Sequence, residues 1–175
     1  MELKDTVYLK RRWVITRYAD EDSFKKGLPS PVIDADGILR PAISVIEGNV
    51  LLNEGITALL NIVTGAGANS PWNSGNAYIG VGDNNTAALN NQTGLSAAAN
   101  NKAYGAMANG YPSVANQTAT WQAAFGANNA NFGWNEFTVV NAANDTGQNL
   151  NRVVSAQGTK TAGQTWTVSL QLTLS

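Results

Sequence analysis

Between residues 61 and 175 the chain has six charged side chains: Asp83, Lys102, Glu136, Asp145, Arg152 and Lys160. The whole chain has no histidine and no cysteine. That removes the usual general base, the usual zinc ligands, thiolate nucleophiles and disulfides. Glycoside hydrolysis needs two carboxylates across the scissile bond, and Glu136 with an aspartate near Trp134 is the one pairing that could supply them. Structural ion pairs far outnumber catalytic ones. The expectation is therefore that Glu136 pairs with Arg152 or caps a nearby loop. Gly80-Val81-Gly82-Asp83-Asn84-Asn85 resembles a phosphate or calcium loop only superficially, since it lacks the P-loop lysine and the EF-hand glutamate; a turn is expected. Calcium through Asp83 or Asp145 is the one ion left to consider. The expectation is no catalytic residue, no essential metal and no cofactor: not an enzyme.

The aromatic residues offer a second kind of chemistry. Trp72, Trp121, Trp134, Tyr104 and Tyr111 could stack on sugars or fill an interface. Trp121 and Trp134 lie in strand-like runs, so core is their default. Trp72 sits among Pro71, Asn73 and Ser74, and is expected to be exposed and to pack against a partner.

These residues need a scaffold, and the periodicity describes one. From Thr165 to Ser175, Trp166, Val168, Leu170, Leu172 and Leu174 alternate with Thr165, Thr167, Ser169, Gln171 and Thr173. Side chains alternate across a strand, so one face is expected buried and the other wet. Further strands are expected at 13–18, 77–81, 118–125, 134–140 and 152–156. Asp36-Gly37 predicts a tight turn between Val32-Ile33 and Ile38-Leu39. Residues 89–110 lack pattern and predict a long loop with one helical turn near 96–99. One helix is expected over about 53–64. Asn53 is its N-cap, Gly65 closes it, and Ile56, Leu59, Leu60 and Val63 form an apolar stripe that should lie against the sheet. Short strands with turn signals and one helix indicate a mainly β fold, a β-sandwich or jelly-roll-like barrel.

Charge divides the chain. Residues 1–60 hold 8 of its 11 basic and 9 of its 12 acidic residues, and the net charge is −1. Nothing here favours nucleic acid as a partner. No apolar run approaches the ~20 residues of a membrane span, and no secretory signal is visible, so synthesis in a host cytoplasm is expected. Residues 1–48 read as a charged, extended N-terminal arm and 49–175 as the sandwich body. Lys10, Arg11, Arg12, Arg17, Leu28, Val32 and Ile33 of the arm, with Trp72 of the body, are the expected partner contacts.

Five stretches, in order, resemble a family of tailed-bacteriophage virion proteins. They are Gly48-Asn49-Val50-Leu51-Leu52-Asn53-Glu54-Gly55, Ile79-Gly80-Val81-Gly82-Asp83 and Ala130-Asn131-Phe132-Gly133-Trp134-Asn135-Glu136-Phe137, then Asn151-Arg152, then 158–167. The likeness covers roughly residues 45–175. It implies a structural component without catalytic residues, and in some members a capsid decoration (cement) role. The expected partners are then the major capsid protein and neighbouring copies of the chain, a trimer being one arrangement, on the head surface of a virion. The alternative is a tail, neck or fibre component that binds host-surface glycans through exposed aromatics.

Overall fold

A computed structural model describes residues 8–67 and 69–175. Twelve strands and two α-helices follow one another in the order β1 (Leu9–Tyr18), α1 (Glu21–Lys25), β2 (Val32–Ile33), β3 (Leu39–Arg40), β4 (Ile43–Glu47) and β5 (Val50–Leu51). Then come α2 (Asn53–Thr64), β6 (Tyr78–Gly82), β7 (Lys102–Ala106), β8 (Ser113–Ala115), β9 (Thr118–Phe125), β10 (Glu136–Val140), β11 (Asn151–Val154) and β12 (Thr165–Leu174). One sheet runs β4-β1-β12-β9-β8 and the other β5-β11-β10-β6-β7, while β2 and β3 form a separate hairpin. Neither sheet closes on itself, so the fold is a β-sandwich and not a barrel.

The alternation of β12 is real, and its position makes it central. It pairs antiparallel with β1 from Tyr18↔Thr165 to Leu9↔Leu174, and with β9 from Phe125↔Trp166 to Thr118↔Thr173. Trp166, Val168 and Leu170 are fully buried. The other face departs from expectation, because Thr165, Thr167 and Ser169 are buried as well. At that end Glu21 of α1 accepts a hydrogen bond from the Thr165 hydroxyl at 3.1 Å. Towards the chain end the burial fades, and Leu174 is half exposed.

Aromatic rings fill the space between the sheets. Trp134 lies edge-on to Trp166 (4.9 Å between centroids) and to Phe125 (5.1 Å), and Trp13 leans on Phe137 at 5.9 Å. Such pairs contribute roughly 0.5–1.5 kcal/mol each beyond their area burial. Trp13 corrects the expected arm. Its strand, β1, sits between β4 and β12 with Trp13, Ile15 and Arg17 all buried. The described part of residues 1–48 is therefore integral to the sandwich, and the first seven residues of the expected arm lie outside the described residues.

Helix α2 also differs from its expected role. Its range matches, and Gly65 closes it in the left-handed region at φ 69°. The residues it buries are Gly55 and Ala58, whereas Ile56, Leu59, Leu60 and Val63 are 40–74% exposed. The cause is local: a Cβ on Gly55 would stand 2.4 Å from the Leu150 carbonyl oxygen. The helix approaches the sheet through its small residues, and its large ones point away. Leu52, not Asn53, occupies the N-cap position.

The patternless stretch contains a strand that periodicity did not show. β7 pairs with β6, which fixes one side of the second sheet. Residues 84–98 cross the outer face of that sheet. They can do so because β6 has Gly80 and Gly82 there, where Cβ atoms would meet Leu95 and Ala97 at 3.0 Å.

Candidate functional site

The buried charges come first, since any catalysis would start from them. Glu136 and Arg152 sit on neighbouring strands β10 and β11, both fully buried, with Arg152 Nη2 2.6 Å from Glu136 Oε2. Arg152 Nε donates to the same oxygen at 2.8 Å. Glu136 also accepts from the Ser96 N–H (2.9 Å) and the Ala97 N–H (2.7 Å). Arg152 Nη1 donates to the Thr86 carbonyl (3.0 Å) and to Gln92 Oε1 (2.9 Å). Both carboxylate oxygens are committed, and the side chain is not exposed to solvent. The pair ties residues 86–97 to the sheet, which supplies the loop's backbone groups with partners inside the protein.

The two aspartates considered for calcium are also engaged, separately. Asp83 Oδ2 accepts from Asn101 at 2.6 Å. Asp145 pairs with Lys102 at 2.6 Å and accepts from the Tyr104 hydroxyl at 2.5 Å. Partial burial would raise the Asp145 carboxyl, but the Lys102 and Tyr104 contacts outweigh it and hold it below the usual range. Burial first, then this carboxylate, push the Tyr104 phenol up. Among the described residues no three His, Cys, Asp or Glu side chains converge on one point. Lys102 and Asp145 line an open polar cleft of about 470 Å³ together with residues 91–96.

Two further cations are buried without a carboxylate in contact. Lys160 is 1% exposed and donates to the Gly126 carbonyl (2.8 Å) and to Asn131 Oδ1 (2.7 Å). Desolvation lowers its pKa to about 8. Arg17 is 1% exposed and lies 4.6 Å above the Trp166 ring. It donates to Pro41 O, Ser44 Oγ and Gln157 O at 2.7–2.9 Å. Burial, then repulsion from Arg40, lower it to about 10 against the pull of Asp34. Both pin loops to the core.

The expected partner contacts divide. Lys10, Arg12, Leu28 and Ile33 are exposed, and Arg11 is partly so. Arg12 faces Glu47 of its own sheet at 3.6 Å. Arg17, Val32 and Trp72 are corrections, because all three are buried. Arg17 points inward in the same row as Trp13 and Ile15. Val32 packs under the β2–β3 hairpin. Trp72 donates its indole N–H to the Gln148 carbonyl at 3.1 Å, and its own carbonyl accepts from Trp121 at 3.0 Å.

Exposed aliphatic residues occur on β4 (Ile43, Val45), at Leu89 and at Val114, and they cluster in two further places. The first is the β2–β3 hairpin. Asp34, nearly fully buried, accepts from the Asp36 and Ile38 N–H groups and pairs with Arg40 at 2.6 Å. Burial would raise its carboxyl; those donors and the Arg40 charge reverse the direction and hold it low. Gly158 sits against this knot, where a Cβ would be 2.5 Å from Arg40 Nε. The hairpin is further tied by Ala35 N–H to Thr159 O (3.0 Å) and Gln164 to Ile33 O (2.7 Å). So held, it presents Ile33, Ile38 and Leu39, 49–67% exposed, and Leu28, before the hairpin, is 61% exposed.

The second place is α2 with the groove beside it, about 150 Å³ and lined, among the described residues, by apolar ones, including Leu9, Leu59, Trp72 and Leu174. Leu9 begins β1, and Ser30 N–H bonds to Arg17 O near its other end. Ten strand residues separate the two surfaces by about 30 Å. Ile38 and Leu39 were legible only as hairpin residues, and the outward α2 stripe only as a supposed core face.

No helix among the described residues is long and apolar enough to cross a membrane. Compared with protein-family models, with curated proteins and with solved structures, the chain has no match.

Proposed function

We propose that the protein is a structural component of a tailed-bacteriophage virion, a decoration (cement) protein that attaches to the assembled head through the β2–β3 hairpin. The observation that carries this reading is the hairpin itself. A short two-stranded ribbon is marginal alone, yet here the Asp34–Arg40 knot and contacts to Thr159 and Gln164 hold it fixed while three large aliphatic side chains, Ile33, Ile38 and Leu39, face outward. A rigid element that keeps apolar residues in water has the form of a preorganised contact, because ordering costs are already met before binding. The resemblance in residues 45–175 supplies the kind of assembly. The committed state of Glu136, Arg152 and Asp83 supports a binding role over catalysis.

Co-sedimentation with heads of the cognate phage tests this. Ile33→Asp and Leu39→Asp alter exposed side chains and should leave the melting temperature near that of the wild type. Head binding should fall at least tenfold in each. Undiminished binding by both variants would remove the hairpin from the contact. The tail or fibre alternative has lost its one expected exposed tryptophan, since Trp72 is buried. Its remaining place is the polar cleft at Asp145, and glycan binding abolished by Asp145→Ala would favour it.

A further inference from the structure

We infer that the outward face of α2 and the apolar groove beside it form a self-association surface, occupied by the same surface of a second copy of this chain. Head binding was assigned to the hairpin, at the other end of β1, so the two proposals stand or fall separately.

Three features select a second copy as the occupant. The first is the orientation of the helix. Gly55 and Ala58 face the sheet while Ile56, Leu59, Leu60 and Val63 face out. An isolated domain would do better with the large residues inward. The second is charge. Glu54 is the only charged residue of α2, and it is turned inward, accepting from the Asn149 N–H at 2.7 Å. The outward face therefore has nothing to repel an identical face, whereas a like-charged pair across an interface is costly.

The third is shape and area. Two-fold association needs a self-complementary patch, with knob and hole on the same surface. The groove of about 150 Å³ is the hole, a size that takes one ring-sized or leucine-sized group. Leu60 and Val63, 57% and 74% exposed one turn along the same helix, are the knobs. Trp72 and Trp121 form the groove floor, the residue type most enriched at interface hot spots. With Ile56, Leu59 and Leu174 these side chains present on the order of 500 Å² of apolar surface, at the upper end for a monomer's largest patch. A standard interface buries roughly 800 Å² per partner and is about two-thirds apolar in homodimers, which calls for about the same apolar area.

Analytical ultracentrifugation of the full chain at micromolar concentration tests the inference. The expected mass is twice that of the 18.4 kDa chain. Leu60→Asp and Val63→Asp should sediment as monomers with unchanged circular dichroism and melting temperature. A wild-type monomer at 50 μM, or aspartate variants that keep the wild-type mass, would overturn the inference. So would a wild-type monomer whose head binding is lost in the aspartate variants, since the face would then belong to a shell protein. A detergent-sized ligand bound to monomers in place of a partner copy would also contradict it.

Discussion

Glu136 and Arg152 show what a buried charge does in a protein with few of them. Desolvating an ion pair costs several kcal/mol, and good geometry with extra hydrogen bonds is needed to offset that. Here the extra bonds go to Thr86, Gln92, Ser96 and Ala97, so the pair's effect is to fix a loop that has no ladder of its own. Glu136→Gln leaves a buried guanidinium uncompensated and should cost about 3–5 kcal/mol. Denaturant unfolding would measure the loss, and limited proteolysis should cut first within residues 84–98. A stable Glu136→Gln protein with an intact loop would show that the pair is incidental. Lys160 makes a pH prediction. Its folded pKa of about 8 lies below the usual 10.5, so between those values the unfolded chain binds the proton and the folded one releases it. Stability from this group therefore rises as pH climbs from about 8 to 10.5. Measured against Lys160→Met, the wild type should gain stability over that window, and a gap that stays constant would contradict the assigned environment.

At the scale of elements, the sequence was most readable where one local period suffices. Strands β9 and β12, the extent of α2 and the Asp36-Gly37 turn all follow from patterns within a dozen residues. The inward side of α2 could not be read that way. The stripe rule assumes that large residues face the core, and the room left for Gly55, where a Cβ would stand 2.4 Å from Leu150 O, depends on a segment almost 100 residues away. Gly55→Ala should therefore cost about 1–3 kcal/mol by overpacking despite better helix propensity. A neutral or stabilising result would show that α2 is not docked at Gly55. The short strands β4, β5, β7 and β8 and the five-residue α1 were missed because so few residues show no period. The strand expected at 13–18 is the second half of β1, but it was assigned to an arm because Lys10, Arg11 and Arg12 fill the first half and Arg17 interrupts the apolar row, although Arg17 stacks on Trp166 in the core. Deleting residues 1–40 should consequently unfold the protein, not release an arm, because Trp13, Ile15 and Val32 leave the core with it. A cooperative melt of the shortened chain would restore the arm reading.

For the whole molecule, the neutral polar body and the two aliphatic surfaces point the same way. The Glu136–Arg152 pairing was legible because so few partners were available. Of the exposed aliphatic surfaces only Leu28 and Ile33 were singled out, since an exposed leucine and a buried one look alike in sequence. The central claim is that this is a head decoration protein, and a density map of whole virions tests it most directly. The account predicts the sandwich in many copies over the head lattice, with the β2–β3 hairpin against the shell. Finding the chain only at the tail or neck, or not in the particle at all, would contradict it.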